Sequence, residues 1–590
     1  MSARELITEN LGLWTQAVTK KSTSGRGRNG KVELTGVKKL RELILELAVR
    51  GKFLEQGAGD EPAAHLLARI KDVEQELVKS KRIRKPKQLS SISVDEVEFT
   101  LPSNWQWVRL GTIGQVVGGG TPKSGESSYW SDKGIPWLTP ADLYGLKGKY
   151  IAAGNRDITK LGLEKSSAQL MPTGSVLFSS RAPIGYVAIT TAELATNQGF
   201  KSCVPYIQEM NQFIYYFLKR SAPYIDASAS GTTFKEVSGT KVASITMPLP
   251  PLEEQHRIVQ KVDELMALCD RLEQQTSDQL EAHETLVDTL LGTLTQSENA
   301  TELADNWARL AAHFDTLFTT EQSIDKLKQS ILQLAVMGRL VEQDAGDEPA
   351  ESLLNRLTEN RQAWLQEQSS SNPECKTMLR KLGKLRPAQS PFPLPKGWRP
   401  AHLIQLCRML VDCHNKTAPY VEEGIPIIRT SNIRERRVNL NGVKYIDEDT
   451  YIYWSRRCPP ESGDIIFTRE APMGEAAIIP EGKTWCLGQR TMLIRPMHEH
   501  ISNRFLLLTL TEPDLLERAA EKAIGSTVKH LRVGDVENLV VPIPPLEEQH
   551  RIVQKVDELM ALCDQLKEHL NQTGETRCQL AEAVVGEALR

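Results

Sequence analysis

In two stretches of the chain, apolar residues return at intervals of four and three. Ile258, Val262, Leu265, Cys269 and Leu272 form one such series, and Ile552, Val556, Leu559, Cys563 and Leu566 the other. That spacing is the seam of a coiled coil, and each series predicts a long helix. Both open on PPLEEQ, where the prolines hold the entering chain extended and the paired glutamates favour the positive end of the helix dipole. If the first helix runs to about Gln296, its ~45 residues span ~65 Å. Stretches 40–49 and 327–336 predict shorter amphipathic helices, each stopped by a glycine, Gly51 or Gly338. Trp14 and Trp307 lie in further helical stretches upstream of these. Regions 103–247 and 396–541 instead hold Gly, Pro and short β-branched runs, which predict small strands and many turns.

The two series belong to a duplication. PPLEEQHRIVQKVDELMALCD occupies 250–270 and recurs without change at 544–564. KLRELILELAVRGKFLEQGAGDEPA from Lys39 faces KLKQSILQLAVMGRLVEQDAGDEPA from Lys326, and LPSNW ending at Trp105 faces LPKGW ending at Trp398. All three recur at an offset of about 290 residues, too long for a solenoid unit and long enough for whole domains. The β-rich regions match only in frame: GIPWLTPADL with GIPIIRTSNI, GSVLFSSRAPIG with GDIIFTREAPMG, and GTTFKEV with GSTVKHL.

The expected fold is α+β: two mixed, β-rich domains separated by long antiparallel helices, in a pseudo-twofold tandem duplication. The expected order is an N-terminal helical segment (1–100), a first domain (103–247), a central helical region (248–392), a second domain (396–541) and a C-terminal helix (542–590). Symmetry leads us to expect that last helix to pack antiparallel with the N-terminal segment.

Composition narrows the function. At 590 residues the chain exceeds a single core. Its nine cysteines form no C-x-x-C pair, so neither a disulfide framework nor a zinc ribbon is expected, and Cys407, Cys413 and His414 read as thiols and an imidazole rather than a metal site. The opening MSARELITEN does not read as a signal peptide and no apolar run reaches membrane length, so a cytoplasmic chain without membrane contact is expected. A net charge of -3 gives no general pull on nucleic acid. Locally the balance differs. The first β-rich region has fourteen basic residues against nine acidic, and the second holds Arg429, Arg434, Arg436 and Arg437 beside Thr430 and Asn432.

Candidate DNA-binding residues follow. Thr121 and Lys123 lie in a GTPKSG turn able to approach phosphates, and Thr139 lies in the aligned GIPWLTP segment. Arg181 and Arg469 follow aligned F-S and F-T turns, and Lys235 and Lys529 are aligned lysines, better suited to phosphates than to bases. Arg429, Asn432 and Arg434 have the chemistry that reads guanine and adenine edges. On the helical repeats, Gln255, Arg257 and Lys261, with Gln549, Arg551 and Lys555, are expected on an outward face that meets a partner.

Catalytic motifs are weak. GGGTPKS and EGKT lack the glycine spacing of a nucleotide-phosphate loop, and CPPES is not the tetrapeptide of an amino-methyltransferase. Asp464 with Glu481 and Lys483 faintly imitates a metal-nuclease site. A helical scaffold without nucleic acid, or a self-contained metal-dependent nuclease, therefore remain alternatives.

Two helix starts, PLPPLEEQHRIV and PIPPLEEQHRIV, each close a variable β-rich domain opened near L-P-x-x-W. In this the chain resembles the specificity subunits of type I restriction–modification enzymes, and its long N-terminal segment is similar to the type IB subfamily. The resemblance implies a non-catalytic, cofactor-free subunit. Its two domains would each read half of a bipartite site in double-stranded DNA, and its helices would set the spacer. The implied partners are two modification subunits that bind S-adenosylmethionine, and restriction subunits that add ATP-driven translocation and cleavage.

Overall fold

The computed structural model describes residues 9–20, 32–57, 59–181, 183–229, 235–298, 300–523 and 529–589. It divides into two compact units, Met1–Gln279 with Thr573–Arg590, and Leu280–Gln572. Four helices organise them: α1 (Thr35–Val49), α2 (Leu252–Gln296), α3 (Glu321–Val336) and α4 (Leu546–Leu589). Both long helices carry residues of both units.

In the first unit the seam of α2 is core. Ile258, Val262 and Cys269 are fully buried, and Leu265 and Leu272 pack on the same cluster. Arg41 of α1 reaches Asp270 at 2.7 Å and Glu273 at 2.6 Å, while Gln56 beyond its end reaches Glu254 at 2.6 Å, so α1 runs antiparallel to α2. The last turns of α4 lie on the other side. Lys39 faces Glu582 at 3.6 Å and Arg50 donates to the Leu589 carbonyl at 3.1 Å. The C-terminal helix therefore does pack on the N-terminal segment, but parallel to α1 rather than antiparallel. The symmetry is obeyed one level down: α1 lies between two long helices that run in opposite senses.

The second unit repeats this. Lys328 of α3 pairs with Asp564, and Lys567 with Asp325 at 2.9 Å, giving an antiparallel pair with α4. Lys326 contacts Glu284 and Asp288, and Arg339 the Ser297 carbonyl at 2.6 Å, giving a parallel pair with the end of α2. Ile552, Val556 and Cys563 are buried here as their counterparts are in the first unit.

The recognition domains share one plan. In the first, strand Gln106–Arg109 pairs antiparallel with Thr246–Leu249 at the base. Above it stands a five-stranded sheet, ordered Gly114–Gly118, Lys201–Pro205, Val176–Phe178, Val187–Thr190, Tyr150–Ile151. Beside that lies a smaller sheet in which Ile135–Leu138 pairs parallel with Ala195–Thr196. In the second, Arg399–His402 pairs with Val540–Ile543 at the base, and Cys407–Asp412, Thr491–Pro496, Ile465–Thr468 and Ala476–Ile478 form the main sheet. Ile425–Ile428 again pairs parallel with Cys486–Leu487. The second domain adds a hairpin, Ile433–Arg434 with Arg437–Val438, whose turn residues Glu435 and Arg436 have φ of 51° and 64°.

Candidate nucleic-acid interface

Each recognition domain stands on a seam that is the same in both units. The Trp105 indole donates to Glu254 Oε2 at 2.9 Å, and the Trp398 indole to Glu548 Oε2 at 3.0 Å. Both carboxylates are buried, and burial pushes them above the usual carboxylate range against the pull of the indole. Arg257 grips Asp60 with contacts of 2.9 and 2.5 Å, and Arg551 grips Asp347 at 3.2 and 2.6 Å. Gly51 and Gly338 have φ of 68° and 71°, and a Cβ on either would lie 2.6 Å from Pro102 or Pro395. Only glycine lets the helix stop against the tryptophan that follows that proline.

This seam corrects part of the expected partner face. Gln255 and Gln549 are buried, and their amides donate to the carbonyls of Pro250 at 2.9 Å and Pro544 at 3.2 Å, locking the entry of each long helix. Arg257 and Arg551 are engaged with aspartates of their own unit. Lys261 and Lys555 do lie on the outer face, paired with Glu264 at 2.8 Å and Glu558 at 3.4 Å.

At the far end of the first domain the strands open into loops that converge. Thr139, Tyr144, Arg181, Tyr186, Asn197 and Gln198 line a concavity of about 460 Å³. Thr139 caps the turn Pro140–Leu143 through Asp142, at 2.8 Å from its hydroxyl. Thr121 reaches in from its loop to hydrogen-bond Gln198. Arg181 pairs with Glu236 at 2.8 Å. Lys123 is exposed, with its carbonyl accepting from the Trp130 indole at 3.2 Å. Lys235 is exposed and 3.4 Å from Asp226. Thr121, Thr139 and Arg181 thus come together, while Lys123 and Lys235 lie outside the lining. Residues 231–234 and 525–528 of the GTTFKEV and GSTVKHL segments lie outside the described residues.

In the second domain several expected readers turn inward. Asn432 is buried: its carbonyl accepts from the Arg429 amide at 3.2 Å, and its amino group donates to the Asn439 carbonyl at 3.0 Å. Both ends of that side chain hold the loop, so it has no base-reading edge to offer. Arg429 is half-buried and donates to the Gly442 carbonyl at 3.3 Å. Arg469 is half-buried against the Leu531 carbonyl at 3.2 Å and acts as an internal tie. Arg434, Arg437 and Lys529 are exposed. Arg436 is turned in, where burial lowers its pKa against the nearby carboxylates of Glu435, Asp557 and Asp564.

Sequence reasoning passed over one pair. Asn197 N bonds Leu138 O at 2.9 Å and Gly488 N bonds Ile428 O at 2.7 Å, while Ser180 N bonds Gly199 O and Arg469 N bonds Arg490 O. These registers put Gln198 and Gln489 at one position. Gln489 donates to the Asn415 carbonyl at 3.2 Å, as Gln198 meets Thr121 on the corresponding loop. The available signal was a glutamine recurring about 20 residues after each aligned Phe, in NQG and GQR, once the strand registers are known.

The nuclease alternative does not survive the geometry. Asp464 is fully buried and held by Arg495 at 2.9 and 2.8 Å, whereas Glu481 and Lys483 are exposed. Among the described residues no group of three or more His, Cys, Asp or Glu could hold a metal ion, and no helix is long and apolar enough to cross a membrane. Cys407 and Cys413 are buried thiols, and His414 meets Trp454 edge to face, with ring centroids 4.6 Å apart.

Comparison with known proteins gives a consistent result. The family model described as the type I restriction modification DNA specificity domain matches residues 102–282 and 405–574. The type I restriction enzyme EcoAI specificity subunit of Escherichia coli is 35% identical over 610 residues, covering 100% of both chains. The EcoEI specificity subunit of the same organism is 32% identical over 630 residues, again covering 100% of both. A solved chain from a study of complex assembly and conformational transition of the type I R-M system is 20% identical, with a TM-score of 0.46, covering 83% of this chain and 99% of that one. With two matched domains on a duplicated helical frame, the chain belongs to the type I restriction–modification DNA specificity family, as a specificity subunit with two tandem target-recognition domains.

Proposed function

We propose that each recognition domain reads one half of a bipartite, asymmetric site in double-stranded DNA. The helical regions set the spacer and carry two modification subunits, which bind S-adenosylmethionine, and restriction subunits join that assembly. The chain itself is a non-catalytic reader and acts in the cytoplasm, and its long N-terminal segment supports a place in the type IB subfamily. The division of the chain is the one its repeats suggest: 103–247 and 396–541 read, while 1–100, 248–392 and 542–590 build the frame.

One observation carries this reading. The frame is reproduced residue for residue, from Trp105, Glu254, Arg257 and Asp60 to Trp398, Glu548, Arg551 and Asp347, while the loops at the domain tips carry different side chains. A shared frame suits identical partners, and different tips suit different half-sites. Within the tips, exposed Lys235 and Lys529 suit phosphates, whereas Thr121, Lys123, Thr139, Arg181 and Arg434 line or border the reading surface. Lys261 and Lys555 belong to the docking face for the modification subunits.

The test is to replace residues 103–247 by the matching domain of another family member and sequence the methylated sites of the host. One half of the methylated sequence should change, with the other half and the spacer retained. Changes in both halves would overturn the division of labour.

A further inference from the structure

A strongly charged surface lies outside the recognition loops. From Lys79 to Lys87 the chain reads KSKRIRKPK, with six basic residues in nine and no acidic one. Lys79, Lys81, Arg82, Arg84, Lys85 and Lys87 are all exposed, and among the described residues none of their side chains has a hydrogen-bond or carboxylate partner. Most other cations described above are paired.

The segment is held at both ends. Helix Ala63–Lys79 stops as Lys81 N bonds Val78 O at 3.1 Å and Arg82 N bonds Leu77 O at 2.9 Å, with Lys81 at a φ of 58°. Glycine usually fills that left-handed position, yet a lysine stands there. Downstream, Arg109 donates to the Ser90 carbonyl at 3.3 Å, the Ser91 carbonyl at 3.1 Å and Glu96 at 2.8 Å.

The second unit has a counterpart at the same place in the fold. Lys376, Arg380, Lys384 and Arg386 are exposed and unpaired among the described residues, on helix Pro373–Leu382 and the connector after it. His402, which occupies the base-strand position of Arg109, meets the Arg386 carbonyl at 3.2 Å. KSKRIRKPK and KTMLRKLGKLR share no pattern of residues, only their charge.

We propose that these two strips dock on the phosphate backbone of duplex DNA outside the bases that the recognition domains read. The proposal rests on the DNA-specificity reading above. Protein interfaces are poor in lysine and need apolar anchors, and here Ile83, Pro86 and Leu89 are only half-exposed between cations. DNA interfaces are far more positive, and phosphate contact asks only for mobile cations in a row.

The test uses the full chain assembled with its modification subunits. Lys81→Gln, Arg82→Gln, Arg84→Gln and Lys85→Gln are combined, with Lys81→Arg plus Lys85→Arg as the charge-retaining control. Affinity is measured across a salt series on a duplex bearing the site with long flanks, on one trimmed to the site, and on an unrelated long duplex. On both long duplexes the neutralised complex should bind at least about tenfold more weakly, with a salt slope smaller by about two to four units. The trimmed duplex, the methylated sequence and the charge-retaining control should be unaffected. An unchanged slope on the long duplexes would overturn the proposal. So would loss of the modification subunits with the slope unchanged, which would make the strip a protein-docking face. If the unsubstituted complex shows no sequence preference, the half-site reading fails, while the strip's salt slope can still be measured on the unrelated duplex.

Discussion

Arg181 and Glu470 occupy the same position in the two recognition domains and carry opposite charge. Each sits in an isolated bridge, Arg181 with Glu236 and Glu470 with His530. Arg181 pairs with Glu236, while Glu470 pairs with Arg490. One backbone frame thus presents two electrostatic lips. Arg181→Glu should alter or abolish methylation of one half-site only. The pair is partly exposed, so stability should move by no more than about 1 kcal/mol. Methylation sequencing and a thermal melt of the variant check both statements, and an effect on both halves would contradict them.

Gln198 and Gln489 should be readers of unlike polarity. The Asn415 carbonyl can only accept, so it claims the amino end of Gln489 and leaves the carbonyl oxygen to meet a base donor. The Thr121 hydroxyl can serve either end of Gln198, which keeps more freedom. Gln489→Ala should relax one position of one half-site, with a loss of discrimination of about 1–3 kcal/mol. Gln198→Ala should do the same in the other half. Methylation of a randomised half-site library measures this, and unchanged preferences would remove the glutamines from the reading surface.

The indole–carboxylate seam sets a stability expectation. Trp105→Phe and Trp398→Phe each leave a buried carboxylate oxygen without its donor and should each cost about 1–3 kcal/mol. Since Glu254 has a folded pKa above its unfolded one, its ionised form weakens the fold at neutral pH. That penalty shrinks as pH falls toward 4.5. Glu254→Gln should therefore flatten the rise in stability between neutral pH and about 5. Denaturant midpoints at the two pH values give the comparison.

Glu96 behaves in the opposite sense. Its bond to the Arg109 guanidinium holds its pKa down at about 2. The clasp is intact above the ordinary value of 4.5 and is lost as pH falls from there toward 2. Glu96→Gln should loosen the 80–96 connector at neutral pH, read as faster proteolytic nicking there than in the parent. Equal cleavage rates would show that Arg109 holds the connector through the serine carbonyls alone.

The helices and the duplication were legible because heptad spacing and identical segments are properties of the sequence itself. The seam positions Ile258, Val262 and Cys269 are buried as their period requires. Gln255 was misread because a polar residue one turn into a helix looks solvated until the Pro250 carbonyl beside it is known. Asn432 and Arg469 were misplaced for a related reason: short polar loops satisfy their own backbone, and composition does not say which side chains are needed for that. The direction of the C-terminal helix depended on which neighbour it meets, and no local period encodes that.

The glycine stop, the tryptophan and its glutamate form a socket of the same chemistry at the foot of both domains. A domain lifted from one socket would find the same donors, acceptors and clearances in the other. The inheritance of specificity is thereby uncoupled from the inheritance of folding, because a chain could change its vocabulary by recombination at the two identical helix starts, 250–270 and 544–564, without having to acquire a new joint. A chain carrying its first domain in both sockets should remain soluble and well folded, and would spell one half-word twice.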